Sequence, residues 1–242
     1  MADGGGKTYV LVHGAWNGGW IWRPVAERLA ARGHRVLTPT NTGLAERRHL
    51  LSRQVTIETF IDDITLLLEV EELADVVLVG HSFGGNTISG VADRMPERIR
   101  HLIYLDAMVL EGGQAPFDAL PPDVVAQRRA AIAERGAGVA LPAPPSGGLD
   151  VPPGAPIGDW FYSRLTPHPA GTYESPLRLK NSPGNGLPRS YVVCTDPPNA
   201  ALEFSRRWAR GREGWGWAEV ATSHNAMVRE PDLVARLLED AA

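Results

Sequence analysis

The stretch Val76-Val77-Leu78-Val79-Gly80-His81-Ser82-Phe83-Gly84-Gly85 constrains this chain more than any other. Four apolar residues, three of them β-branched, read as a buried parallel strand. Gly80-x-Ser82-x-Gly84 follows. Ile88, Val91, Ala92 and Met95 then recur at helical spacing up to Pro96. A strand, a tight turn and a helix around a serine form a nucleophile elbow. So sharp a turn strains the serine backbone, and side chains two residues to either side of it would collide. With 26 glycines in 242 residues, the five-residue pattern alone arises by chance in roughly one such chain in ten. Its strand and helix context is what carries weight.

The elements around the elbow alternate. Tyr9-Val10-Leu11-Val12 reads as a first core strand, ending in His13-Gly14-Ala15-Trp16-Asn17-Gly18-Gly19-Trp20. Ile21, Val25 and Leu29 fit a helix with Gly33 as its C-terminal cap. Arg35-Val36-Leu37-Thr38-Pro39 reads as a second strand, residues 40–55 as a polar loop, and Thr56 as the cap of a helix carrying Ile57, Phe60, Ile61, Ile64, Leu67 and Leu68. Glu58, Asp62 and Asp63 on that helix read as a solvated acidic face. His101 to Ala107 is a further strand, ending in Asp106; Tyr191 to Cys194 and Trp217 to Val220 are the last two. A helix from Leu202 to Trp208 lies between these two, and one starting at Pro231 closes the chain. This alternation predicts an α/β fold, with a mostly parallel central sheet and helices on both faces. Ligands of such sheets bind at the carboxyl ends of the strands. Gly14, Ser82 and Asp106 fall there. Residues 108–190 are dense in proline and glycine, with one helical stretch from Val124 to Glu134 and the aromatic cluster Trp160-Phe161-Tyr162. That is too long for a plain loop and reads as an inserted lid. The expected division is a core of 1–107 and 191–242 and a lid of 108–190.

A serine hydroxyl needs a base within reach and a third group to hold that base. Along such a chain the order is serine, acid, histidine. His224, in the loop after the last strand, is the candidate base. Asp106 and Asp196 each end a strand, and either suits the acid. His13 and His81 flank glycine turns and read as structural or pocket-lining, and His168 as lid packing. The Phe83 and Ala15 amides are the candidate oxyanion donors. Trp16 and Trp160 are candidate walls of the substrate pocket.

Together, Val12-His13-Gly14-Ala15-Trp16-x-Gly18-Gly19-Trp20, Gly33-His34-Arg35-Val36, the Ser82 elbow and His224-Asn225-Ala226-Met227 resemble the α/β-hydrolase superfamily. The nearest branch is the small esterases related to plant methylesterases and hydroxynitrile lyases, with their bacterial EstC-like relatives. The resemblance implies a serine carboxylester hydrolase without a cofactor. Plant members place their acid after the penultimate strand, at a position that looks like Pro197, with Asp196 one residue early. Other α/β-hydrolases, haloalkane dehalogenases among them, use the position of Asp106. Asp106 is preferred, because Pro197-Pro198 constrains the loop that Asp196 would have to adjust. Hydroxynitrile lyases of this group carry threonine where this chain has Gly14 and lysine where it has Asn225. Serine rather than aspartate at position 82 argues against dehalogenase or epoxide hydrolase chemistry. A lyase, cyclase or acyltransferase on the same scaffold, and a ligand-binding receptor, are the rival readings.

Composition narrows the partners. A net charge of −4 without a basic block gives no sign of nucleic acid or an anionic membrane. Cys194, the single cysteine, forbids an internal disulfide and fits a reducing compartment. Met1 to Gly6 show no signal pattern and no apolar run is long enough for a membrane span. The expectations are a cytoplasmic enzyme with no metal and no cofactor, a small-molecule ester as substrate, and at most a second copy of the chain, in a homodimer, as partner.

Overall fold

The structure, a computed structural model, describes residues 5–242. Met1 to Gly4, part of the stretch read for a signal pattern, lie outside the described residues. The strands are β1 (Thr8–Val12), β2 (Arg35–Leu37), β3 (Val76–His81), β4 (Ile99–Leu105), β5 (Ala140–Leu141), β6 (His168–Pro169), β7 (Arg189–Cys194) and β8 (Trp215–Val220). The helices are α1 (Arg23–Ala31), α2 (Ile57–Val70), α3 (Gly84–Arg94), α4 (Pro122–Arg135), α5 (Pro156–Tyr162), α6 (Gly171–Glu174), α7 (Glu203–Ala209), α8 (Ala226–Arg229) and α9 (Pro231–Asp240). Six strands form one sheet in the order β2-β1-β3-β4-β7-β8. Every neighbouring pair in it is parallel. β5 and β6 form a separate antiparallel pair.

Alternation along the strands divides the core in two. Val10, Val12, Val76, Leu78, Leu102 and Tyr104 point to the face covered by α2 and α3, where Phe60, Ile61, Ile64, Ile88 and Val91 are buried. Tyr9, Leu11, Val77, Val79, Ile103 and Leu105 point to the face covered by α1 and α9, against Val25, Leu29, Val234 and Leu238. Each such side chain contributes about 1.5–3 kcal/mol on leaving water. Buried on both faces, the central strands have to be apolar throughout, which is why they read as continuous runs.

The segment between β4 and β7 is ordered by the same cores. Phe117, Ile132, Leu141 and Tyr173 join the α2/α3 side, and Val151 and Phe161 join the α1/α9 side. It carries α4, α5, α6 and the β5–β6 pair. The loop at 40–55 contains a single stretch of 3-10 helix, Ala45–Leu50.

The acids of α2 are a correction to the sequence reading. Asp63 is not part of a solvated face. Its carboxylate accepts from Thr42 N at 2.6 Å, Thr42 Oγ1 at 2.8 Å and Arg47 Nη1 at 2.9 Å, tying the loop after β2 to α2. Glu58 and Asp62 pair with Arg94 of α3. The sequence pattern saw only the helix period, whereas the partners lie elsewhere in the chain, Thr42 and Arg47 after β2 and Arg94 on α3. Asp63→Ala strands a backbone N–H and is expected to cost about 1–3 kcal/mol in urea unfolding. Glu58→Ala, which breaks a half-exposed pair, costs less than about 1 kcal/mol.

Candidate active site

Ser82 follows directly on β3 with φ of 53°. This left-handed conformation costs a non-glycine residue about 1–2 kcal/mol. Hydrogen bonds on each side hold it: Ser82 N donates to Leu105 O at 3.3 Å, and Ser82 O accepts from Met108 N at 2.8 Å. The motif glycines are there for space. A Cβ on Gly80 would stand 2.7 Å from Gly84 O, and one on Gly84 would stand 2.8 Å from the carbonyl oxygens of Val12 and His13. Gly14 lies against the serine itself, where a Cβ would be 2.8 Å from Ser82 Cβ and 3.3 Å from Oγ.

His224 comes from the loop between β8 and α8. Its Nε2 is 3.0 Å from Ser82 Oγ, and its Nδ1 is 2.7 Å from Asp106 Oδ2. A carboxylate can only accept, so Nδ1 carries the proton and Nε2 is left to accept from the serine hydroxyl. Asp106 is the residue after β4, fully buried, with φ of 40°. Its second oxygen, Oδ1, accepts from Arg206 Nη2 at 2.9 Å and from Cys194 N at 3.4 Å. Burial pushes the Asp106 carboxyl up, but the hydrogen bonds and charges of His224 and Arg206 outweigh it and hold it below the usual carboxylate value. Burial, reinforced by the Asp106 charge, pushes the neighbouring Cys194 thiol far up, so it stays protonated.

Asp196, the other candidate acid, is not brought to this site. It is exposed, and its backbone N donates to Thr222 O at 2.9 Å. β7 ends at buried Cys194, and the Thr195–Pro198 bridge then turns the chain toward solvent. Trp160 is a second correction. Its ring packs edge-on against Trp20 at 5.1 Å with Arg164 over its face at 5.0 Å, and it does not line the cavity that contains Ser82. Trp16 does line that cavity, with Ala15, Phe83 and His224; its volume is about 290 Å³. Neither the Ala15 nor the Phe83 N–H donates a hydrogen bond within the described residues.

Three further histidines hold the backbone around these groups. His81 donates from Nε2 to His224 O at 2.9 Å, and the two rings lie 4.5 Å apart. Burial and the adjacent His224 push its pKa down to about 3. His13 donates from Nδ1 to Gly14 O at 2.8 Å and accepts from Asn41 N at 3.1 Å, and burial lowers it to about 4. His168 does more than pack. Its Nδ1 accepts from Trp16 N at 3.3 Å, and its Nε2 donates to Thr172 Oγ1 at 2.8 Å. Trp16 has φ of 64°, and its carbonyl accepts from Thr166 N at 2.9 Å. The strained turn beside Ala15 is thus fastened from the segment between β4 and β7.

Arg206 and Asp150 are two site residues that the sequence does not announce. Asp150 accepts from Asn225 N at 2.9 Å and from the Asn225 side chain, which fixes the loop of His224. An arginine on a short amphipathic helix and an aspartate in a Pro/Gly-rich run carry no local pattern that announces either contact. No group of three or more His, Cys, Asp or Glu among the described residues is placed to hold a metal, and no helix among them is long and apolar enough to cross a membrane.

Residues 9–237 match the description "Alpha/beta hydrolase family". The chain belongs to that family. It is 40% identical over 239 residues to the carbendazim hydrolyzing esterase of Nocardioides sp. strain SG-4G, covering 96% of this chain and 98% of that protein. It is 27% identical over 220 residues to Methylesterase 2 of Arabidopsis thaliana, covering 84% and 82% of the two chains. Among solved structures, an extracellular alpha/beta-hydrolase from a Paenibacillus species, described as homologous to tobacco Salicylic Acid Binding Protein 2, superposes with a TM-score of 0.84 at 27% identity, over 98% of this chain and 99% of that one. These likenesses bear out the resemblance read from the motifs, and the chain is an ester hydrolase of the α/β-hydrolase fold.

The Asp106–Arg206 pair sets two expectations. Arg206→Met leaves a buried charge short of a partner and is expected to cost about 3–5 kcal/mol in urea unfolding at neutral pH. Part of that loss returns in the Arg206→Met/Asp106→Asn double variant, where the stranded charge is gone. Because the folded-state pKa of Asp106 is depressed, its stabilisation is complete above the ordinary value of 3.8 and is lost as pH falls below it. Asp106→Asn should therefore flatten the acid side of the stability–pH curve below about pH 4.

Proposed function

We propose that this enzyme hydrolyses small carboxylic esters through an acyl-enzyme on Ser82. The observation that carries the proposal is the continuous relay Asp106–His224–Ser82, at 2.7 and 3.0 Å, beside two unengaged backbone N–H groups. Ser82 Oγ attacks the ester carbonyl as His224 Nε2 takes its proton. The Ala15 and Phe83 N–H groups donate to the oxyanion that develops, each worth about 3 kcal/mol in the transition state. Asp106 stabilises the imidazolium, which then gives its proton to the leaving alkoxide. Water enters, loses a proton to His224 and attacks the acyl carbonyl; Ser82 takes the proton back as the acid departs.

Glycine at position 14, where the hydroxynitrile lyases this chain resembles carry threonine, supports hydrolysis over lyase chemistry, since it puts no hydroxyl beside Ser82 Oγ. Residues between β4 and β7, among them Arg128, Leu149 and Tyr173, line the cavity and act as its lid. The likeness to the carbendazim hydrolyzing esterase makes carbendazim a substrate to test, and the methylesterase relatives point to methyl esters.

Ser82→Ala is expected to lower kcat/KM on p-nitrophenyl butyrate by at least about 10³-fold and to abolish fluorophosphonate labelling read by intact mass. Asp106→Asn should lose about 10⁴-fold through the wrong His224 tautomer, while Asp196→Asn stays within about twofold of the parent. A Ser82→Ala protein that retains its rate would overturn the mechanism.

A further inference from the structure

Arg128, on α4, lines the same cavity as Ser82 and His224. It is half-buried, and its guanidinium carbon lies 5.2 Å from the Tyr173 ring centroid and 5.8 Å from that of Trp16. No ion pair among the described residues uses it, although its neighbour Arg129 reaches Glu174 at 3.6 Å. No carboxylate lines the cavity. Arg128 also borders a second cavity of about 340 Å³, which carries Arg135 and again no carboxylate. Arg128 thus borders both the cavity of the catalytic serine and a neighbouring one that carries Arg135, seven positions further along the same helix.

A guanidinium held over ring faces is partly desolvated; one Arg128 donor is engaged by the Tyr173 hydroxyl, and the others lie in the guanidinium plane with no carboxylate or carbonyl partner among the described residues. That fork matches a carboxylate, and the low dielectric between two aromatic rings strengthens the pairing. A purely structural arginine would be expected to end on a carboxylate or carbonyl, as Arg206 does on Asp106 and Cys194.

We propose that Arg128 forms an anion subsite and that the substrates of this enzyme include esters that carry a carboxylate at the end remote from the scissile bond. This rests on the ester-hydrolase mechanism above for its reacting end only. The ester carbonyl sits at Ser82, and the carboxylate bonds to Arg128 between Trp16 and Tyr173, with Arg135 adding to the field. Hydrolysis consumes one water and releases the dicarboxylate, an alcohol and one proton.

The test compares monomethyl adipate with dimethyl adipate, the same methyl ester with and without the charge, by initial rates of methanol release. The expected result is a kcat/KM ratio favouring the monoester in the parent, falling about tenfold or more in Arg128→Met, mainly through KM, and less in Arg128→Lys. The preference should also shrink between low salt and 0.5 M salt. Calorimetric binding of monomethyl adipate to Ser82→Ala and to Ser82→Ala/Arg128→Met reads the subsite without turnover, with circular dichroism to verify the fold. Turnover of the diester with no charge preference, or a ratio unchanged in both Arg128 variants, overturns the subsite and leaves the esterase mechanism standing. Arg128-dependent binding with no turnover of either ester overturns the mechanism and leaves the subsite standing.

Discussion

A carboxylate with no exposed surface and a hydrogen-bond donor on each oxygen, one of them the Arg206 guanidinium, organises this site. Asp106 terminates β4 in a left-handed conformation, with His224 on one oxygen and Arg206 on the other. Each partner comes from a different part of the chain, His224 from the loop after β8 and Arg206 from α7. Such a charge is stable in a dry interior only while both partners remain in place. The position of the His224 ring, and through it the direction of Nε2 toward Ser82, is therefore fixed by electrostatics deep in the fold rather than by contacts in the cavity. The parallel sheet makes this possible. It ends β3 and β4 side by side, with His81 in register with Leu105, so that Ser82 and Asp106 emerge as neighbours.

The four histidines in and around the site divide into two groups. His13, His81 and His168 are buried, and burial drives their pKa values down, so at neutral pH each is a neutral ring with one donor and one acceptor. They anchor the backbone: His13 joins Gly14 O to Asn41 N in the loop after β2, His81 holds the carbonyl of His224, and His168 joins the Trp16 N–H to the Thr172 hydroxyl. Only His224 of these four rings joins the serine to a carboxylate.

The sequence made the sheet and the elbow legible because both depend on local patterns. A β-branched run is a buried strand almost regardless of context, and Gly80 and Gly84 record a steric requirement of the turn itself. His224 was legible through chain order and its place after the last strand. Asp196 and Asp106 looked alike because each follows a strand; what separates them is that Arg206 and the Cys194 amide await one and solvent the other. Trp160 was an aromatic in the right region, but whether such a ring faces the cavity or Trp20 depends on how α5 docks. Asp63, Asp150 and Arg206 act through partners 12 to 100 residues away, a relation that no local pattern along the chain announces.

The fastening of Trp16 bears on how such an enzyme can change. The turn carrying the Ala15 amide is held by Thr166 from one side and by His168 from the other, while the Trp16 indole donates to Leu141 O at 3.3 Å. All three anchors lie in the segment that also supplies much of the cavity wall. In many scaffolds a recognition loop can be exchanged like a cassette while the reaction centre stays intact. Here a transplanted segment would have to bring its own struts for that turn. New specificity in this lineage is thus accessible mainly by point substitution within the segment, and wholesale loop grafting carries the reaction centre with it.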